Sequence, residues 1–235
     1  MNTHMLSRRA WLTLLAMPAA CSIQPLPGLR RSSLPADTHF PAMREPALGQ
    51  HWTYRVFNIY NSEQIDTIRE EITALHPRIT LSRQSIRHGT LPSETHTTWG
   101  QVQQDPLWEA VQTYEHPLPI WPSTLAPGTS TRIHTTYRPG TASFAQWIDV
   151  QSSITAAERV TVEAGTFDTL RIDKIIRLNH QDSSRTNYLR TDTLWLAPAI
   201  GRWVARETNG EYWVSSRKAN LFREDHLRWE LDNWG

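Results

Sequence analysis
The chain has 235 residues, 24 Lys and Arg against 23 Asp and Glu, a formal net charge of +1 and one cysteine. So even a balance, with no basic stripe, argues against nucleic acid as a partner. A lone cysteine excludes an internal disulfide. The length beyond residue 20 suits one large β domain, which can bury roughly 70% of its unfolded surface without staples.

Residues 1–20 have the layout of an export signal. Met1 to Arg9 is short and basic, and Ala10 to Met17 is apolar but far below the ~20 residues of a membrane span. The expected local structure is a signal helix. Pro18-Ala19-Ala20-Cys21 follows. Small residues before a cysteine resemble the lipobox of bacterial lipoproteins, which implies lipidation of Cys21 and a membrane anchor. Pro18 stands where that pattern usually has Leu, and an ordinary signal peptide ending at Ala20 is the alternative. Ser7-Arg8-Arg9-Ala10-Trp11-Leu12 resembles a twin-arginine signal, and two adjacent arginines also suit a general export signal. Ser22 rather than Asp after Cys21 resembles lipoproteins sorted to the periplasmic side of the outer membrane. Periplasm is the location expected without the anchor.

Residues 21–48 carry Pro25, Pro27, Pro35, Pro41 and Pro46. Proline at this density prevents helix and ladder alike, so this stretch reads as a tether. The folded domain is expected over 49–235. Trp52, Tyr54 and Val56 alternate with polar residues, the signature of a strand. Gln64 to Leu75 fits helix or strand, and Thr67 and Thr73 favour strand. A strand from Ile79 to Ile86 follows Pro77. His88 to Ser93 reads as a Gly/Pro loop, and Thr95 to Val102 as extended. Asp105 to Gly128 is a proline-rich loop with a rigid Pro117–Pro122 run. Strands are then expected at 131–137, 143–150, 157–164, 169–179, 186–196, 202–207 and 211–217, with Leu227 to Leu231 closing. Gly and Pro at this spacing suit an antiparallel all-β sheet, not βαβ units.

Val160 and Val162 alternate with Arg159, Thr161 and Glu163 before Ala164-Gly165. Beyond the break, Leu170, Ile172, Ile176 and Leu178 share a face that Lys174 interrupts. This is strand, tight turn, strand, with Gly165 free to reverse the chain. Val160 to Phe167, Trp195-Leu-Ala-Pro-Ala-Ile-Gly201, Gly49 to Tyr54 and Leu125 to Gly128 together resemble a group of bacterial envelope proteins of unknown function. The resemblance spans about residues 49–208. It implies a fold similar to that of the lipoprotein-localisation proteins LolA and LolB: a single curved antiparallel sheet forming a half-barrel with an apolar concave face. It implies no catalytic residues.

The residues themselves offer no enzyme either. The ten histidines include no His-x-His and no i, i+4 pair, so no metal site and no cofactor is expected. Gly-x-Ser-x-Gly is absent. Glu70-Glu71 and Glu224-Asp225 would face opposite sides of a strand, the wrong geometry for paired acid–base work. Tryptophan is the unusual quantity, at 11 residues. Core filling accounts for such rings, and an aromatic cavity is built from the same side chains. Trp108, Trp121, Trp195 and Trp203 are the candidate ligand contacts, with Trp108 and Trp121 on the long loop as a lid. The expectation is a non-enzymatic, lipid-anchored envelope protein holding a lipid or other apolar ligand. The alternative is an assembly module that pairs with another envelope protein through its sheet edges.

Overall fold
The computed structural model describes residues 29–140, 142–215 and 220–235. The signal segment and Cys21 lie outside these residues. The described residues form fourteen strands and one short 3-10 turn. They are β1 (Arg30–Ser33), β2 (His51–Asn58), β3 (Glu63–Ala74), β4 (Ile79–Ser85), β5 (Gly89–His96), β6 (Gln101–Asp105) and β7 (Gln112–Pro119). Then come β8 (Ser130–Pro139), β9 (Gln146–Val162), β10 (Gly165–Leu178), β11 (Arg185–Ala197), β12 (Arg202–Val214), β13 (Asn220–Arg223) and β14 (Leu227–Trp234).

The all-β, antiparallel expectation holds. The half-barrel does not, because the sheet closes. From β2 to β12 each strand pairs with the next, β12 pairs with β14, and β14 returns to β2 through Trp229↔Val56 and Leu231↔Tyr54. The result is an up-and-down barrel of twelve strands, with β1 and β13 as outer additions. Closure removes the edges that an open sheet would expose. Each addition shares an edge with a barrel strand. The β9 edge takes β8 along 146–153 and β1 along 158–161; the β12 edge takes β14 along 205–208 and β13 along 211–214.

Several boundaries differ from the sequence reading. Gly89 to His96 is a strand despite Pro92, which falls where the β4–β5 register shifts between Leu81 and Arg83. A bulge is one of the places a sheet tolerates proline. The stretches 143–150 and 157–164 form one strand, β9, and 202–207 and 211–217 merge into β12. Local irregularity is absorbed by bulges at Arg171/Ile172 and Trp195/Leu196 rather than by chain breaks.

The proline-rich segment is packed against the barrel over the part described. β1 pairs with β9, Leu34 N–H donates to Ala157 O at 3.0 Å, and Arg44 N–H to Pro198 O at 2.9 Å. Gly201, at φ 72, caps the Pro198–Ile200 turn. A Cβ there would stand 2.9 Å from Arg44 O, so the close approach of this strap adds to the backbone reason for glycine. The β9–β10 tip folds over the outside of the wall, with Ala164 N–H on Leu231 O at 3.2 Å and Glu163 against Arg55 at 3.4 Å.

Candidate functional site
Strand parity decides which side chains enter the barrel. Cross-strand partners share a face. Leu178↔Tyr188, Leu170↔Leu196, Leu194↔Arg206 and Trp229↔Val56 therefore point inward together. Trp195↔Ala205 points outward. The two ends of the barrel are closed differently. At the end carrying the 3-10 turn, Trp52, Trp99 and His96 stack, with centroids 6.0 and 5.0 Å apart, and Trp121 meets Trp99 edge-on at 6.0 Å. Trp52 Nε1 donates to Ile200 O at 3.2 Å. Trp121 presses on Gly100, where a Cβ would stand 2.4 Å from the ring. At the opposite end, the β6–β7 loop (106–111) turns inward. Trp108 Nε1 donates to Asp105 Oδ2 at 3.0 Å, and the Arg190 guanidinium lies 4.4 Å from the Trp108 ring centroid. Glu109, beside it, is held by Arg185 at 2.7 Å.

Between these plugs the interior is polar to an extent that strand periodicity does not announce. Arg202, fully buried, donates through Nε and Nη2 to Glu70 Oε2 at 3.1 and 2.6 Å, and through Nη1 to Glu94 Oε1 at 3.0 Å. Arg83 Nε reaches the other Glu70 oxygen at 3.3 Å. His96 is neutral by geometry. Gly100 N–H donates to its Nδ1 at 3.1 Å, so the proton sits on Nε2, which donates to Glu94 at 2.6 Å. Arg206 grips Asp192 with two guanidinium nitrogens. Burial pushes the Glu94 and Asp192 carboxyls up, but Arg202 and Arg206 outweigh it and hold both below the usual carboxylate range. Asp105 accepts Leu107 N–H, Trp108 Nε1–H and Tyr114 O–H, at 2.9, 3.0 and 3.2 Å.

Beneath Trp108 lies a cavity of about 50 Å³. At about 10–15 Å³ per water that is room for roughly three to five waters. Val102, Leu118, Ile148, Val150, Ile176 and Leu194 form its apolar wall, and Glu94, Asp105, Asp192, Arg206, Lys174 and Trp203 its polar one. Lys174 differs from the other charged groups. It makes no hydrogen bond or ion pair among the described residues, and its amine faces the void rather than a neighbour. Burial lowers its pKa to about 8, against the opposing pull of Asp192, Asp105 and Glu94 and with Arg206 helping. Lys174 and Lys218 are the chain's two lysines. Everywhere else in the barrel the cation is arginine, which cannot give up its proton.

The four sequence candidates separate accordingly. Trp108 and Trp203 line the cavity, Trp108 as part of the loop above it. Trp203 is buried, stacks on Tyr54 at 5.7 Å and lies under Arg202 at 3.7 Å, and its Nε1 has no hydrogen-bond partner among the described residues. Trp121 belongs to the plug at the far end. Trp195 lies outside the barrel, donating to Glu158 at 2.7 Å beneath Arg31. The sequence search missed the carboxylate–arginine network and Lys174 as a site. One signal was present: a lysine interrupting the apolar face of β10. No group of three or more His, Cys, Asp or Glu side chains among the described residues is placed to hold a metal.

These features define a class, a closed up-and-down β-barrel with plugged ends and a small charged-and-apolar chamber. Two solved structures share the fold. A candidate exported protein of Bacteroides fragilis, described as having a YmcC-like fold, matches at TM-score 0.53 and 11% identity, over 83% of this chain and 99% of that one. A candidate lipoprotein of Parabacteroides distasonis matches at TM-score 0.50 and 10% identity, over 84% and 100%. No family model matches the chain, and no curated protein matches it significantly.

Proposed function
We propose that this chain is a lipid-anchored envelope protein that binds a small ligand inside its barrel, beneath the Trp108 loop, without transforming it. One observation carries the binding reading: a cavity inside a closed barrel, lined by a charged amine that no group among the described residues satisfies. Buried polar groups in native proteins are partnered, and an exception marks a place where something else binds. Binding is favoured over catalysis because the three carboxylates around the chamber are already engaged, Glu94 by Arg202 and His96, Asp192 by Arg206, and Asp105 by three neutral donors. None is left free to shuttle a proton. The chamber is too small for a whole acyl chain, so a long lipid would enter only by displacing Trp108. Envelope location and the Cys21 anchor rest on the export signal and on the exported and lipoprotein descriptions of the two structural neighbours.

Mass spectrometry of the protein purified gently from the envelope tests both parts. Under native conditions a barrel carrying one small molecule is expected, and Val150→Phe, which fills the chamber, should arrive empty with its β circular dichroism retained. Under denaturing conditions the chain should begin at Cys21 with acyl chains attached. A wild-type barrel that is always empty, and takes up nothing from an envelope extract, would sink the binding reading; an unmodified Cys21 would sink the anchor. A second reading, edge-mediated assembly, is favoured by β13, which pairs on one side only and exposes Leu221 and Phe222 next to Trp213. Cross-linking from Phe222 in cells, lost on Phe222→Ser, would support it.

A further inference from the structure
Trp203 is 1% exposed, its ring forms part of the chamber wall, and its indole N–H is unsatisfied among the described residues. Lys174 brings three further N–H donors to the same space without a partner. Both groups are donors without an acceptor, but the Trp203 Nε1 atom is enclosed by protein, whereas Lys174 is half-buried and lines the chamber. Lys174 is therefore the donor open to an incoming acceptor, and it is a cation. The available space suits a group of about three heavy atoms, given the roughly three to five waters it would hold. The wall beyond, with Val102, Leu118 and Ile148, is apolar. We infer that the chamber takes a carboxylate, as the head of an apolar molecule, held by Lys174 Nζ.

The neighbouring charges allow this. The groups that face Lys174 are Glu94 from β5, Asp105 from β6, Asp192 from β11 and Arg206 from β12. Glu94 and Asp192 are matched by Arg202 and Arg206, which leaves Asp105 as the acidic group without a bonded cation. Asp105 is held by neutral donors and acts on Lys174 through space without a bond, so an incoming carboxylate competes with Asp105 for the ammonium. As the ammonium gives up its proton near pH 8, an anionic ligand that stabilises it raises that value, and binding weakens as pH rises past it. An apolar alcohol has no such dependence.

This rests on the binding reading above and is tested separately from it. The full chain in lipid nanodiscs is titrated calorimetrically with octanoate, octanol, octylamine and acetate, with empty nanodiscs as the blank. Octanoate is expected to bind, to lose at least tenfold in affinity in Lys174→Met, and to weaken between pH 7 and pH 9.5. Octylamine should not bind. Acetate matching octanoate, with the same Lys174 dependence, would support the carboxylate and identify small free acids as its source. Equal binding of octanoate and octanol, unchanged in Lys174→Met, would overturn the carboxylate and leave a neutral apolar binder. Failure of all four, with a co-purified molecule still seen by native mass spectrometry, would also overturn it while sparing the binding reading. Lys174→Met removes a buried charge at near-constant length, and circular dichroism confirms its fold.

Discussion
Arg202 is the residue on which the barrel interior turns. It is the shared cation of Glu70 and Glu94, and it covers the Trp203 ring. A buried pair adds little against an apolar substitute, but removing one partner strands the other charge. Here one deletion leaves Glu94 without a bonded arginine, with His96 as its remaining partner, and leaves Glu70 to Arg83 alone. Arg202→Met should therefore cost about 3–5 kcal/mol, the range for breaking a buried pair. Urea unfolding of the variant, compared with Glu94→Gln/Arg202→Met, which keeps the Glu70–Arg83 pair, decides whether it is charge or packing. The double variant should recover most of the loss, and a double variant as unstable as the single one would show that Arg202 acts through packing alone.

At the scale of elements, the wall is uneven. The β9–β10 ladder is paired from Gly165↔Val162 to Leu178↔Ile148. The β7–β8 seam pairs only at Gln112↔Pro139, Thr113↔Arg138 and Tyr114↔Tyr137, after which His116 N–H turns to Thr135 Oγ1 at 3.3 Å. Pro117 and Pro119 have no N–H to offer the ladder, which is the local reason for the split. Few cross-strand hydrogen bonds mean low local stability. Amide hydrogen exchange should be faster in Glu115 to Leu118 than in Ile172 to Leu178. Equal protection would show that the seam is as tight as the rest of the wall. Leu118 lies on this seam and lines the chamber, so the seam, with the Trp108 loop, is the route by which a ligand would reach Lys174.

For the whole molecule, the buried charges make stability a function of pH on two sides. Glu94 and Asp192 have folded-state values below their unfolded ones, so their contribution is present above about pH 4 and is lost as pH falls through the carboxylate range. Lys174 acts in the other sense. Its folded value of about 8 is below the unfolded value near 10.4, so the unfolded chain binds the extra proton between the two. Stability therefore rises with pH across that window, and below it the ammonium is a fixed cost. Lys174→Met should be more stable than wild type at pH 7 by about 1–3 kcal/mol, with the gap closing toward pH 10. Thermal unfolding of both proteins across that range checks it; a gap that stays constant would show that Lys174 keeps its proton in the barrel.

How much of this was legible varies by residue. Alternation at Trp52, Tyr54 and Val56, and the Val160–Gly165–Phe167 turn, predict the strands they form, because side-chain parity and a glycine at φ 128 are local properties. Lys174 in an apolar face was visible as an interruption, yet nothing in the chain order says that it would face Asp192 and a void. Glu70 reads in the sequence only as half of an adjacent pair with Glu71, and nothing near Glu94 marks it, since their partner, Arg202, comes more than a hundred residues later.

The sequence by itself determined that this is an antiparallel all-β protein, since period and punctuation are written within short windows. Only the tertiary structure decided that the sheet closes, that Trp195 lies outside while Trp203 lies within, and that one lysine is left unpaired in a chamber. Closure depends on a single long-range pairing, β14 with β2, and that pairing sets which face of every strand becomes the interior.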